Sequence, residues 1–166
     1  ELKGLIQKTL DANNMETSVH IRLIVSRGLK KTPYQHPNAN VGGSSVVIIP
    51  EHKEADETVN IEGIHLITVN TRRGTSDSLD PRLNTLSKLN CISACIEADR
   101  AGADEGIMLD VNGNVSTCNS TNFFILRKGE ILTSTGQYCL PGVTRKAVID
   151  LCRGNKISIK EKDFTI

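Results

Sequence analysis

Ala103 to Leu151 reads ADEGIMLDVNGNVSTCNSTNFFILRKGEILTSTGQYCLPGVTRKAVIDL, and this stretch decides the fold. Apolar runs at Gly106 to Asp110 and from Val115 bracket Val111-Asn112-Gly113-Asn114, and Asn-Gly between such runs is the strongest short hairpin signal. Phe123 to Leu126 and Ile131 to Thr133 flank Arg127-Lys128-Gly129-Glu130 as a second hairpin. Next comes Leu140-Pro141-Gly142-Val143-Thr144-Arg145, where Pro141 and Gly142 break the extended run. Val143, Ala147, Val148 and Leu151 then follow helical spacing, so a helix is expected from about Val143 to Cys152. The first N–H groups of that helix lack intrahelical partners and attract anions, with Thr144 and Arg145 placed to reinforce them. An ordinary capped helix start explains the same residues, since Pro and Thr are common there.

Outward from this stretch, residues 2–13 carry Leu2, Leu5, Ile6 and Leu10 on one helical face. Val19 to Ser26 reads as a strand ended by Arg27-Gly28, and Leu29 to Asn40, with Pro33 and Pro37, reads as a loop. Ser45 to Pro50 and Ile64 to Asn70 read as buried strands, and Gly74 to Leu83 as a polar loop. Leu86 to Arg100 reads as a helix with Leu89, Ile92, Ile96 and Cys95 inward, and Lys156 to Ile166 as an alternating closing strand. The alternation predicts an α/β fold, a mixed sheet with packed helices.

The order EGI-LD-NG-V, STNFFI, KG-ILT, YCLPGVTR-AVI-L resembles the large domain of the class IV (fold type IV) pyridoxal-phosphate enzymes. That group holds the branched-chain and D-amino-acid aminotransferases and aminodeoxychorismate lyase. The likeness runs from about Ile21 to Phe164 and is densest between Gly102 and Leu151. It implies pyridoxal 5'-phosphate as cofactor, with its phosphate on Gly142, Val143 and Thr144, and Asn122 ordering the cofactor-facing turn. It implies a small amino acid and its 2-oxo acid as substrates, and a homodimer in which the Leu29 to Asn40 loop reaches the neighbouring active site. Compared with the family, the chain is expected to lack the small N-terminal domain and the C-terminal end of the large one, leaving residues 1–166 as one domain.

Two positions depart from the pattern. The family lysine that forms the Schiff base matches Arg82, Leu83 or Asn84, depending on gap placement, and none of these is lysine. A guanidinium stays protonated and cannot replace an amine nucleophile. Lys88 is the only nearby lysine, and it can serve only with a rearranged loop and a buried, unprotonated amine. The family glutamate that pairs with the pyridine nitrogen matches Thr117, whose neutral hydroxyl is a poor partner for a pyridinium.

Composition narrows the alternatives. The chain has 166 residues, enough for one domain with a sizeable core. Its 20 Lys plus Arg balance 19 Asp plus Glu, and with no Trp, three Phe and two Tyr it offers neither a basic surface nor stacking platforms for nucleic acid. No run approaches the roughly 18 apolar residues of a membrane span, and a soluble, cytoplasmic protein is expected. The five cysteines include no CxxC pair, so core thiols are favoured over metal ligands.

Arg22 matches a family arginine that reaches a substrate carboxylate, and a solvent-facing strand arginine explains it equally well. Tyr34 and His36 lie in the loop implied to cross the dimer, where a solvated loop is the simpler reading. Arg72-Arg73 reads as an anion contact at the entrance or as solvated charge. Three functions remain open: aminotransferase or lyase chemistry, a family member turned binding or regulatory protein, and an anion site on a shared fold.

Overall fold

The computed structural model describes residues 1–54 and 59–166, with backbone alone at 59 and 60. They form two compact units, Glu1–Ile61 and Glu62–Ile166.

In the first unit, α1 (Leu2–Ala12) precedes β1 (Val19–Ser26), β2 (Leu29–Lys30), β3 (Asn40–Val41) and β4 (Ser45–His52). β1 and β4 pair antiparallel from Val19 opposite His52 to Ser26 opposite Ser45. The Leu29 to Asn40 segment, expected as a loop, is rooted by a two-residue ladder in which Leu29 faces Val41 and Lys30 faces Asn40. Pro33 and Pro37 lie beyond that ladder, as proline's missing N–H requires. β4 is not the buried strand expected, for Val46, Val47 and Ile49 are exposed. Among the described residues α1 is the helix packed on β4, and a two-stranded sheet with one helix on it has too little material to cover both faces.

The second unit holds β5 (Leu66–Thr68), β6 (Glu105–Leu109) and β7 (Val115–Cys118) in one sheet, and β8 (Phe124–Arg127), β9 (Glu130–Thr133) and β10 (Ile159–Glu161) in another. β5, which follows the short α2 (Val59–Glu62) in the chain, is parallel to β6, and the short α3 (Ser76–Leu79) and then α4 (Leu89–Arg100) lie on the crossover between them. β9 is parallel to β10, with α5 (Val143–Gly154) in the same role. Both hairpins form as the sequence predicts. Asp110 organises the first, its Oδ1 accepting from the N–H groups of Asn112 and Asn114 at 2.8 and 2.9 Å. Lys128 and Gly129, at φ 52 and 77, turn the second in the twist-matched two-residue form, so Arg127 and Glu130 join the ladder.

β6 is buried on both faces because its side chains alternate between two cores. Met108 packs with Val69, Ala94, Ala98 and Ala103 toward α4, while Ile107 packs with Val115 and Cys118 and the half-buried Phe123 and Phe164. The expected face of α4 is wrong. Leu89, Ile92 and Ile96 are 74, 52 and 45 % exposed, Cys95 is exposed too, and Ala94 and Ala98 point inward. Gly106 explains this, since a Cβ there would lie 2.6 Å from Val69 Cγ1 and 3.2 Å from the Ala94 carbonyl oxygen. The helix sits so close to β6 that only alanines fit between them. The buried face of α5 is likewise displaced, to Arg145, Ile149 and Cys152, leaving Val143 and Leu151 exposed.

Candidate functional site

α5 begins at Val143 with Gly142 as its N-cap. The N–H of Gly142 donates to the Leu140 carbonyl at 2.8 Å, and its own carbonyl accepts from Lys146 at 3.0 Å. Glycine has no side chain to cap the helix, and Val143 and Thr144 are exposed, so the first-turn N–H groups open outward. The φ of Gly142 is −59°, which any residue adopts. Glycine is needed here for space, because a Cβ at this position would overlap Asn122 Oδ1. Asn122 is held in turn by its Nδ2, which donates to the Leu140 carbonyl at 3.1 Å. The connection leading into the second hairpin and the helix start are thus locked together by one asparagine and one glycine.

Arg145 does not join the anion-binding end. It is buried, and its Nη2 donates to the Ser134 carbonyl at 2.6 Å and to Glu161 Oε2 at 2.9 Å. Arg153 reaches the other oxygen of Glu161 at 2.9 Å, so the two arginines tie α5 to β10 through one carboxylate.

Thr117 lies buried on β7 opposite Met108, and its hydroxyl donates to the Thr121 carbonyl at 2.6 Å. Beside it on the strand, Cys118 has its thiol pushed up to about 11, by burial first and by the Glu105 carboxylate second. Such a thiol stays protonated and is no nucleophile at neutral pH. Glu105 itself accepts from the hydroxyls of Ser120 and Thr121.

The segment matched to the family lysine has its side chains engaged locally. Arg82 grips Asp80 with Nε and Nη2, both at 2.9 Å. α4 starts at Leu89, not Leu86, which makes Lys88 its N-cap rather than a residue of its first turns. Lys88 is exposed, and its Nζ donates to Asn84 Oδ1 at 2.7 Å.

Sequence reading missed what holds this segment. The Arg73 guanidinium, considered above as an anion contact or solvated charge, donates to three protein groups: Nε to the Tyr138 carbonyl at 3.0 Å, Nη1 to Cys91 Sγ at 2.9 Å and Nη2 to the Pro81 carbonyl at 3.2 Å. It joins the Asp80 loop and α4 to the chain entering the Gly142 turn. Glu97 of α4 accepts from the Thr71 hydroxyl and from the N–H groups of Asn70 and Thr71, and these bonds, the hydroxyl's first, lower its carboxyl from the ordinary glutamate value. A periodic reading scores Glu97 as solvated, since nothing in the spacing tells which loop passes over the helix. Loss of these bonds in Glu97→Ala is expected to lower the denaturant midpoint, and an unchanged midpoint would show that they do not hold the loop to α4.

In the other unit, Arg22 lies exposed in β1 opposite Ile49. Tyr34 and His36 stack with centroids 6.2 Å apart and planes 7° from parallel, and His36 Nδ1 accepts from the Asn38 N–H at 3.1 Å.

A family model described as amino-transferase class IV matches residues 1–166. The branched-chain-amino-acid aminotransferase-like protein 2 of Arabidopsis thaliana is 37% identical over 166 residues, which are 100% of this chain and 30% of that protein. The solved branched-chain aminotransferase of Thermoproteus uzoniensis with norvaline superposes with a TM-score of 0.84 at 27% identity, covering 99% of this chain and 54% of that one. The solved branched-chain amino acid aminotransferase from Escherichia coli gives 0.85 at 26%, covering 99% and 53%. The chain therefore spans about a third of the curated relative and about half of the solved chains. Among the described residues no helix is long and apolar enough to cross a membrane.

Proposed function

The chain belongs to the class IV aminotransferases, and on that footing we propose that the whole protein binds pyridoxal phosphate together with a small amino acid or its 2-oxo acid. The carrying observation is the Gly142 helix start, whose open first-turn N–H groups and exposed Thr144 hydroxyl suit a phosphate dianion. In this reading Gly142, Val143 and Thr144 hold the phosphate, Asn122 fixes the turn, Thr117 lies toward the ring, and Arg22 takes a substrate carboxylate. The small-amino-acid ligand is supported by a structural relative whose crystal contained norvaline. Bound pyridoxal phosphate would supply an electron sink for chemistry at the amino acid's α-carbon.

Thr144→Ala in the whole protein is expected to weaken pyridoxal phosphate by about 1 to 2 kcal/mol, the usual worth of a hydrogen bond to a charged group. Equilibrium dialysis measures it, and unchanged affinity would remove Thr144 from the site. The reading also expects a homodimer, and a monomer by light scattering at micromolar concentration would count against a shared active site.

A second reading, a family member with altered chemistry, is favoured by the ring end of the site. The phosphate end fits the cofactor and the ring end does not. Thr117 offers a hydroxyl already donating to Thr121, and the nearby lysine is exposed and donating to Asn84. Formation of 2-oxo acid from norvaline by the whole protein with pyridoxal phosphate would exclude this second reading.

A further inference from the structure

We propose that the Gly142 site holds phosphorylated pyridines without a covalent bond to any lysine, so that the aldehyde and amine forms of the cofactor bind alike. The inference rests on the cofactor reading above and concerns what that reading leaves open, how the ligand is retained.

A covalent link needs an unprotonated amine brought to the aldehyde carbon, and burial is the usual means of lowering a lysine's proton affinity. Lys88 meets neither requirement. It is exposed, and its Nζ donates to Asn84 Oδ1 at 2.7 Å, a bond back to one of the three positions matched to the family amine. Rearranging the loop to deliver Lys88 would break more than that bond. Arg82 is chelated by Asp80, and the Pro81 carbonyl is tied by Arg73 to Cys91 and to Tyr138. The Lys88 carbonyl also accepts the Ile92 N–H at 2.9 Å, closing the first turn of α4. The segment is therefore fastened at Pro81, Arg82 and Lys88 with its only amine outward.

The electronic side agrees. A carboxylate facing the ring would keep the pyridine nitrogen protonated, but Thr117 is neutral and its proton is committed to the Thr121 carbonyl at 2.6 Å. Glu105, the buried carboxylate of this sheet, is engaged by Ser120 and Thr121 and lies on β6, two residues before Ile107 on the face opposite Met108. Thr117 pairs with Met108, so Glu105 cannot stand in for the missing charge. What remains is the phosphate grip, and that grip does not distinguish an aldehyde from an amine at the far end of the ligand.

The test compares pyridoxal phosphate with pyridoxamine phosphate, which cannot condense with an amine, by equilibrium dialysis against the whole protein. Affinities within about threefold of each other are expected, with Lys88→Ala changing either by less than about twofold and Thr144→Ala weakening both by about tenfold. Borohydride, which fixes any imine by adding hydride to carbon while solvent supplies the proton to nitrogen, should leave no lysine stoichiometrically labelled on peptide mapping. Pyridoxal phosphate binding 30-fold or more tighter, about 2 kcal/mol, with that preference lost in Lys88→Ala, would overturn the proposal. So would a stoichiometric pyridoxyl group on any lysine. Binding of neither compound would instead overturn the cofactor reading itself.

Discussion

Glu161→Ala in the whole protein is expected to lower unfolding free energy by about 3 kcal/mol at neutral pH, because it strands the Arg145 guanidinium in the core. Arg145 is 8 % exposed, and its Nη2 has two acceptors, the Ser134 carbonyl and Glu161 Oε2. Among the described residues its Nε is buried without a partner. Removing the carboxylate therefore leaves a buried cation with one neutral acceptor. Breaking a buried pair from one side costs about 3 to 5 kcal/mol, and the lower end applies because Glu161 itself is 31% exposed. Arg153 loses a partner too, but at 60% exposure it is rehydrated at little cost.

The same pair sets a pH dependence. Burial, the largest single influence on Glu161, pulls its carboxyl up, yet Arg145 and Arg153 together outweigh it and hold the group below the ordinary glutamate value of 4.5. A carboxylate lowered in the folded state stabilises fully above its unfolded value, and that contribution is lost as pH falls through the folded one. Urea midpoints should thus decline below about pH 4.5 in the parent protein, and that part of the acid limb should flatten in Glu161→Gln. An acid limb identical in the two proteins would show that Glu161 is not a major contributor.

These expectations were invisible in the linear pattern, and the reason is physical. Turn chemistry is local: Asn112-Gly113 and Lys128-Gly129 carry their own backbone requirements, and both hairpins and the helix start at Val143 appear where the sequence places them. Which face of a helix is buried depends on what approaches it. Leu89, Ile92 and Ile96 look like a core stripe, but Gly106 brings α4 down on its alanines. Val143, Ala147 and Leu151 look like the inner face of α5, but Glu161, sixteen residues beyond Arg145, selects the arginine's face instead. At the site, Thr117 and the absence of lysine at Arg82, Leu83 and Asn84 were legible as departures from a family pattern. The bond from Lys88 back to Asn84, and the Arg73 strap, depend on loop paths that no spacing rule encodes.

Gly142→Ala is expected to weaken pyridoxal phosphate by about 30-fold, some 2 kcal/mol, the larger of the two effects argued for the turn itself. The added methyl enters space filled by Asn122 Oδ1, so Asn122 must swing away and release the Leu140 carbonyl, or the helix start must retreat. Either movement displaces the Val143 and Thr144 N–H groups from the geometry that would grip a phosphate, and small shifts at such donors are costly. Overpacking of this kind also costs about 1 to 3 kcal/mol of stability. Because one clash carries the whole effect, shrinking its other member should relieve it. Asn122→Ala alone loses the bond to Leu140, worth about 1 kcal/mol, whereas in the double variant the new methyl occupies the vacated space. The double variant should then be more stable than the sum of the single changes by at least about 1 kcal/mol, and should regain part of the lost affinity. Strict additivity in a denaturant cycle would mean that Asn122 and Gly142 do not share the contact, and the locking of hairpin to helix start would have to lie elsewhere in the turn.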